Sequence, residues 1–407
     1  VPEFLTLLPP QEALAKWRAH FRAVPVPETI ATVDALGRVL AAPAIAAHPL
    51  PQFTRATVDG YAVRARDTHG AGESLPAYLT LAGEIPMGSA PPLELAPAHC
   101  ALIHTGGMLP AGADAVVMVE HTQPARVGEI EILRPAAAGE NVIRPGEDVQ
   151  QGELVIPAGA RLRPAEIGGL MALGITQVNV SRQPRVGILS SGDEVVSPES
   201  EPAPGQVRDV NTYTLAALIR QAGGEPVPYG ILPDEAAAFA AAARRALAEN
   251  DILLFTAGSS VSARDLTART IASLGAPGIL VHGVSVRPGQ PTILAVCAGK
   301  PVIGLPGNPV SALVIAGLFA VPLIEKYLGM ARRPQPAVPA RLAVNLPSQA
   351  GREDWVPVRL LPNGDAEPIF GKSNLIFTLA RADGLIRIPA DATGLAAGAA
   401  VEVILMM

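Results

Sequence analysis

One design occurs twice in the second half of this chain, and it limits what the chain can fold into. Ile252–Phe255 is wholly apolar and feeds a loop of small residues, Thr256-Ala257-Gly258-Ser259-Ser260-Val261-Ser262-Ala263, ahead of Asp265. Val302–Leu305 feeds Pro306-Gly307-Asn308-Pro309, and the apolar run Val310–Leu323 follows, with Ser311 in its first turn. Continuous apolar runs suit strands buried on both faces, as in parallel sheets covered by helices. Asn308 suits a helix N-cap and Pro309 a first helical position. Small residues at the carboxyl ends of such strands let backbone N–H groups approach an anion, and the next helix dipole favours negative charge. In open α/β sheets that edge is where ligands bind. Either loop alone reads as an ordinary strand-to-helix turn; the pair points to a phosphate or another oxyanion.

The same alternation begins at Val186. Strands at Val186–Leu189, Pro226–Ile231, Ile279–Val286 and Thr292–Val296 alternate with helices at Thr212–Ala222 and Asp234–Glu249. This predicts an α/β domain over 183–330, a doubly wound and mainly parallel sheet. The flanks read differently. Gln11–Phe21 is an amphipathic helix with Ala13, Leu14, Trp17 and Phe21 on one face, and Val33–Ala41 reads as a short helix. Short β-like runs broken by Gly and Pro fill 46–151, a β-rich domain. Leu154–Ile156 and a helix at Pro164–Leu173 return to what 27–45 began, which predicts a discontinuous, elongated connecting domain of 27–45 and 152–182. After the linker Arg332–Pro336, four short strands in 331–407 predict a small terminal β-barrel or sandwich. With 407 residues, several domains are expected.

Charge and composition exclude some functions. The net charge of −6 argues against a nucleic-acid partner or a broad membrane-surface footprint. No run of 18 apolar residues is free of charge, Pro and Gly, so no transmembrane span is expected. Val1 opens the sequence, and no basic-then-apolar leader pattern follows it. Cys100 and Cys297 each sit in an apolar run and read as buried free thiols of a cytoplasmic protein. The seven histidines lack metal-ligand spacing.

Acids gather at the predicted carboxyl edge. Asp193 and Glu194 follow one strand, Asp234 a second, and Asp265 a third. Carboxylates beside anion loops make sense with a divalent cation between them, and Mg²⁺ takes one or two carboxylates together with substrate oxygens. Asp234 and Asp265 suit helix N-caps equally well, and Glu194 suits a solvated turn. Arg287-Pro288-Gly289-Gln290-Pro291 adds a cation on a stiff turn; its guanidinium fork fits an oxyanion, or a plain surface position.

Four stretches carry a family resemblance. They are Thr57-Val58-Asp59-Gly60-Tyr61-Ala62, Thr105-Gly106 with Asp114-Ala115-Val116-Val117, Ser191-Gly192-Asp193-Glu194, and Leu305-Pro306-Gly307-Asn308-Pro309-Val310-Ser311. In this order they resemble the MoeA family of molybdopterin molybdenumtransferases and the gephyrin E-domain, from about residue 5 to the end. The resemblance implies four domains, with 1–26 packing on the α/β domain. It also implies a homodimer whose cleft combines the α/β domain of one subunit with the β-rich lobe of the other. The implied reaction is Mg²⁺-dependent insertion of molybdate into adenylylated molybdopterin, with release of AMP.

The resemblance assigns catalytic roles to Asp59, Thr105, Glu194, Asp234 and Asp265, with Mg²⁺ near Asp265 and Glu194. It implies pterin or nucleotide binding by Gly258, Ser259, Ser260, Val261, Ser262, Pro306, Gly307, Asn308, Pro309 and Ser311. Arg287, Pro288, Gly289, Arg352 and Ser373 are its implied molybdate contacts. Two departures stand out. The Ser-rich loop lacks a family Gly and reads one residue short, which leaves both Ser260 and Ser262 as the matching serine. The family's Lys-Pro-Gly-Lys-Pro is here Arg-Pro-Gly-Gln-Pro, with one cation fewer, so tungstate stands as an alternative substrate. A molybdopterin adenylyltransferase and a non-catalytic pterin-binding scaffold are the competing functions.

Overall fold

The computed structural model describes residues 6–256, 261–331 and 335–406, with backbone only at 261–264. Four strands of the central sheet run parallel in the order Glu225–Leu232, Arg185–Ser191, Ile252–Thr256, Lys300–Leu305. Ile293–Cys297 adds antiparallel to the last of these, and Pro277–His282 adds antiparallel to it in turn. The mainly parallel sheet therefore ends in a reversed strand and its neighbour. Its first strand in sequence lies between the second and third, which puts a topological switch point between Arg185–Ser191 and Ile252–Thr256.

Alternate residues of each strand feed opposite cores, as the two-residue period requires. Val186, Ile188, Ile252, Leu254, Ile303 and Leu305 face one core. Leu215 and Ile219 of the helix Asn211–Ala222 cover it, with Ile315, Phe319 and Leu323 from the run Pro309–Tyr327. Leu189, Leu253, Phe255 and Val302 face the other core, under Phe239 and Ala243 of the helix Ala236–Glu249. Pro309–Tyr327 is 19 residues long and apolar enough to cross a membrane by composition, but this packing accounts for its apolarity. A π-turn at Ala316–Ala320 interrupts it just before Pro322, whose ring nitrogen has no hydrogen to donate.

The helix Pro10–Arg18 is fastened to this sheet. Trp17 is fully buried, its indole Nε1 donates to Ala295 O at 2.7 Å, and Phe21 meets its ring edge-on at 5.1 Å. Truncating such an anchor to Ala typically costs about 3–5 kcal/mol.

Two distant stretches pair beside the sheet. Pro27–Ala31 runs antiparallel to Gln177–Ser181, and Ala44–Ile45 pairs with Leu154–Ile156. The helix expected at Val33–Ala41 does not form; only a 3₁₀ turn, Thr32–Asp34, is present. The N–H groups of Gly37, Leu40 and Ala41 donate instead to Leu162, Ala160 and Asn179, so long-range pairing overrides a weak local helix signal. Between these stretches a six-stranded sheet is built from segments of 60–132. At the other end of the chain, the strands Ala337–Leu342, Glu353–Leu360, Asp365–Pro368, Gly384–Ile388 and Ala400–Leu405 close on one another as a five-stranded barrel. The short strand Val286–Arg287 leaves the α/β sheet and pairs in parallel with Glu353–Asp354, stitching barrel to sheet.

Candidate active site

Ser191 pairs with Leu232, Ser190 with Thr256, and Thr256 with Leu305, so these residues lie at one edge of the parallel sheet. In sequence, Asp234 follows Leu232, Asp193 and Glu194 follow Ser191, the Ser-rich segment follows Thr256, and Pro306-Gly307-Asn308 follows Leu305. Gly258, Ser259 and Ser260 lie outside the described residues. Val261 and Ser262 open the helix Val261–Ser273. Pro309 opens the next helix, with Ser311 buried in its first turn.

Two of the expected helix caps are overturned. Asp234 precedes the helix Ala236–Glu249, whose cap position is Glu235, so its carboxylate caps nothing. Burial, with the charges of Asp193 and Glu194, pushes its pKa above the ordinary 3.8. Ser191 lies close enough to lower it in part, yet the two make no well-formed hydrogen bond. Asp265 stands a full turn inside its helix and pairs with Arg269 at 2.7 Å, so it is no cap either. Asn308 does occupy a cap position but makes no side-chain cap bond. Its Nδ2 donates to Ser373 Oγ at 2.9 Å, while Val310 N donates to Ser373 O at 3.0 Å. This brings an expected oxyanion contact of the barrel onto the Pro306 loop.

Arg287 and Arg352 converge on one buried carboxylate that sequence reasoning missed. Arg352 Nε donates to Asp354 Oδ1 at 2.9 Å, and Arg287 approaches Asp354 Oδ2 at 3.8 Å. Asp354 is 4% exposed, whereas the Arg287 side chain is 64% exposed, so one buried anion holds two guanidinium groups at the barrel seam. Arg287–Pro288 is a cis peptide, and Gly289 sits at φ +115° where an added Cβ would lie 2.4 Å from Ile315 Cγ1. The family resemblance gives Gly289 an oxyanion-binding reading; its first requirement is this close approach to the helix.

Asp59 and Thr105 are brought together, but on the β-rich lobe. Thr105 donates to Asp59 Oδ1 from its backbone N at 2.7 Å and from Oγ1 at 3.1 Å. The backbone bond is the main cause holding Asp59 below the ordinary carboxylate range. His104 bridges the pair to Glu84, with Nε2 at 2.9 Å from Glu84 Oε1 and Nδ1 at 3.8 Å from Asp59. Gly60 follows Asp59 because the neighbouring strand leaves no room: a Cβ there would meet Val117 O at 2.0 Å. Among the described residues, no hydrogen bond or ion pair joins Asp59 or Thr105 to the sheet edge.

Asn211 is a further residue that sequence reasoning missed. It opens the helix Asn211–Ala222, and its Nδ2 donates to both Thr256 Oγ1 and Gly307 O. The available signal was Asp209-Val210-Asn211, two cap-type residues ahead of a periodic apolar run. Four buried polar atoms near this edge have no hydrogen-bond partner among the described residues: Ser191 Oγ, Asn211 Oδ1, Thr212 Oγ1 and Asp234 Oδ1. Buried polar groups left unpaired in a folded protein call for an explanation such as a ligand, ion or water.

A switch-point edge with facing loops, crowded carboxylates and unpaired buried acceptors, clasped by a barrel, defines a ligand-binding α/β enzyme. Three family profiles match in order: the MoeA N-terminal region (domains I and II) over residues 8–174, a probable molybdopterin binding domain over 187–326, and the MoeA C-terminal region (domain IV) over 339–406. Molybdopterin molybdenumtransferase 2 of Mycobacterium tuberculosis is 34% identical over 93% of this chain and 94% of its own. Molybdopterin molybdenumtransferase of Bacillus subtilis is 32% identical over 98% and 94%. The crystal structure of the molybdopterin biosynthesis MoeA protein from Pyrococcus horikoshii superposes with a TM-score of 0.86 at 33% identity, covering 98% of this chain and all of that one. The chain belongs to the molybdopterin molybdenumtransferase family, transferases of molybdenum cofactor biosynthesis. The resemblance in the sequence and the expected fold class are thereby borne out.

Proposed function

We propose that this protein inserts molybdate, with tungstate as an alternative, into adenylylated molybdopterin and releases AMP, in a Mg²⁺-dependent step. The observation that carries this reading is the clasp of the barrel onto the Pro306 loop through Asn308 and Ser373. A lone adenylyltransferase domain needs no such partner; a site that must hold pterin phosphate and metal oxyanion together does. The names of the relatives, molybdopterin molybdenumtransferases, support the pterin and the molybdenum. The anion loops at the sheet edge support the phosphate.

The acids at this edge fit a hard dication. Asp234 carries an unpaired buried oxygen and is crowded by Asp193 and Glu194, so the edge has more negative charge than its neighbours neutralise. Mg²⁺ takes one or two carboxylates and completes its shell with substrate oxygens and water. Glu194 and Asp265 would hold it, and once bound it would neutralise charge on the phosphoanhydride. Backbone N–H groups of the Pro306 and Ser-rich loops orient the phosphate. Arg287, Arg352 and Ser373 orient the tetrahedral oxyanion, with Asp354 setting where the two guanidinium groups point.

Asp59 and Thr105 act from a second copy of the chain. Their backbone-fixed pair is exposed and makes no contact with the sheet edge of its own chain among the described residues, which supports a homodimer with shared clefts. The two buried free cysteines support a reducing, cytoplasmic setting. The test is incubation with adenylylated molybdopterin, Mg²⁺, and molybdate or tungstate, following AMP release and metal incorporation. Binding of the pterin with neither AMP nor metal turnover would leave a scaffold.

A further inference from the structure

We infer that Asn211 is a positioning residue whose side-chain amide fastens the Pro306-Gly307-Asn308 loop to the strand end at Thr256, and that this clamp sets that loop's place in the cradle for molybdopterin. The inference rests on the proposed reading in one respect, that the ligand of this loop is the pterin. Thr256 and Leu305 are register neighbours on adjacent parallel strands, and each is the last strand residue before its loop. Asn211 comes from a third element and bonds to both sides of that seam, at 2.7 Å to Thr256 Oγ1 and 2.8 Å to Gly307 O. The chemistry fixes the amide's orientation. A backbone carbonyl only accepts, so the NH₂ group must face Gly307. Thr256 Oγ1 then accepts from the same group, and its own hydrogen is free to donate elsewhere. Both amide hydrogens are used within the protein, while the buried Oδ1 receives none from the described residues.

The clamp is itself anchored. Asp209, 7% exposed, accepts from Thr212 N at 3.1 Å, and its own N donates to Val196 O at 2.9 Å. Val195–Val196 pairs in parallel with Val207–Arg208, and Val207 N donates to Glu194 O at 2.8 Å. The start of one helix thus ties together the Glu194 turn, the strand end at Thr256 and the Gly307 loop. A simple structural crosslink between two strands already in register would gain little, because the sheet hydrogen bonds hold that register without it. What the strand ladder does not fix is the path of the Pro306-Gly307-Asn308 loop beyond its last pair, and there the amide acts.

The experiment is a double-mutant cycle on the full-length protein, read by direct molybdopterin binding, which needs no turnover. Asn211→Ala and Thr256→Val should each weaken binding about tenfold, since small misplacements of a preorganised cradle carry large penalties. The double variant should be no weaker than the worse single variant, because both remove one clamp. Thr256→Ser, which keeps the hydroxyl, should recover most of what Thr256→Val loses. Thermal midpoints are followed in parallel to show that each variant folds. A lowered midpoint with unchanged affinity, or losses that simply add, would overturn the clamp. Wild-type AMP release is read separately. If wild type binds molybdopterin but releases no AMP, the insertion reading fails and the cycle still decides the clamp; if wild type does not bind molybdopterin, the clamp falls with it.

Discussion

Asp265→Asn separates a structural from a chemical role for the acid beside the Ser-rich loop. The carboxylate lies inside the helix Val261–Ser273, so no cap is lost on substitution. Among the described residues its partner is Arg269, an i,i+4 pair at 2.7 Å, with the Asp and Arg side chains 47% and 78% exposed. Exposed helix pairs of this kind contribute about 0.3–0.5 kcal/mol. For an α/β domain of this size that is a change in thermal midpoint of about 2 °C or less. As a ligand of the cation, the same carboxylate would act where charge develops, and its loss should lower AMP release by about a hundredfold. Arg269→Gln is the matched control. It breaks the same ion pair and costs the same small stability, but leaves the carboxylate in place, so turnover should stay within about twofold of wild type. The assays are a thermal scan and AMP release from adenylylated molybdopterin over a Mg²⁺ titration. Full AMP release by Asp265→Asn, or an equal loss in both variants, would refute the reasoning and leave the helix pair as the residue's whole role.

Three further outcomes are expected. Asp234 has a raised folded pKa, so its ionised form is disfavoured by the fold; the penalty grows as pH rises from the ordinary 3.8 through the raised value and is complete above it. Asp234→Asn should therefore raise the thermal midpoint at neutral pH and not in acid below that window, while abolishing turnover; a midpoint that falls at neutral pH contradicts this. Gly289→Ala places a Cβ at 2.4 Å from Ile315 Cγ1 at a positive φ, and should destabilise by at least about 1–3 kcal/mol, measured by denaturant titration. Light scattering should find a dimer at micromolar concentration, and mixing Asp59→Asn with Asp265→Asn protein should restore part of the activity after subunit exchange. No recovery once exchange is verified would mean that each site is built within one chain.

The sheet was legible because its strands are long apolar runs with a clear change of period, and both signals survive without knowledge of partners. The family motifs were legible for a different reason. Gly60 and Gly289 are glycines because backbone or helix atoms crowd them, and such positions leave little freedom in the sequence. What failed were elements whose fate depends on distant chain. The stretch 33–41 has enough apolar residues for a short helix, but three of its N–H groups find carbonyls more than 100 positions away.

Asn308 keeps its cap position but bonds elsewhere for an energetic reason, whereas Asp265 keeps a local partner in Arg269 and Asp234 stands one residue before the cap. A side-chain hydrogen bond contributes about 1 kcal/mol net whether its partner is the next helical turn or another domain. Local capping preferences are of the same size, about 0.5–2 kcal/mol. Asn308 thus stands where a cap belongs, with capping backbone angles, and still gives its amide hydrogen to Ser373, 65 positions on. A cap bond would use Oδ1 as acceptor while the bond to Ser373 uses Nδ2 as donor, so the two compete for one side-chain orientation, and the tertiary fold decides between them by bringing Ser373 within reach. A sequence can therefore specify that such a residue will bond, since leaving it buried and unpaired costs about 1–3 kcal/mol. It cannot specify the partner until the fold is known. Asn211 sharpens the point: both of its donors are spent across a seam that no local pattern predicts, and its remaining oxygen has no partner among the described residues.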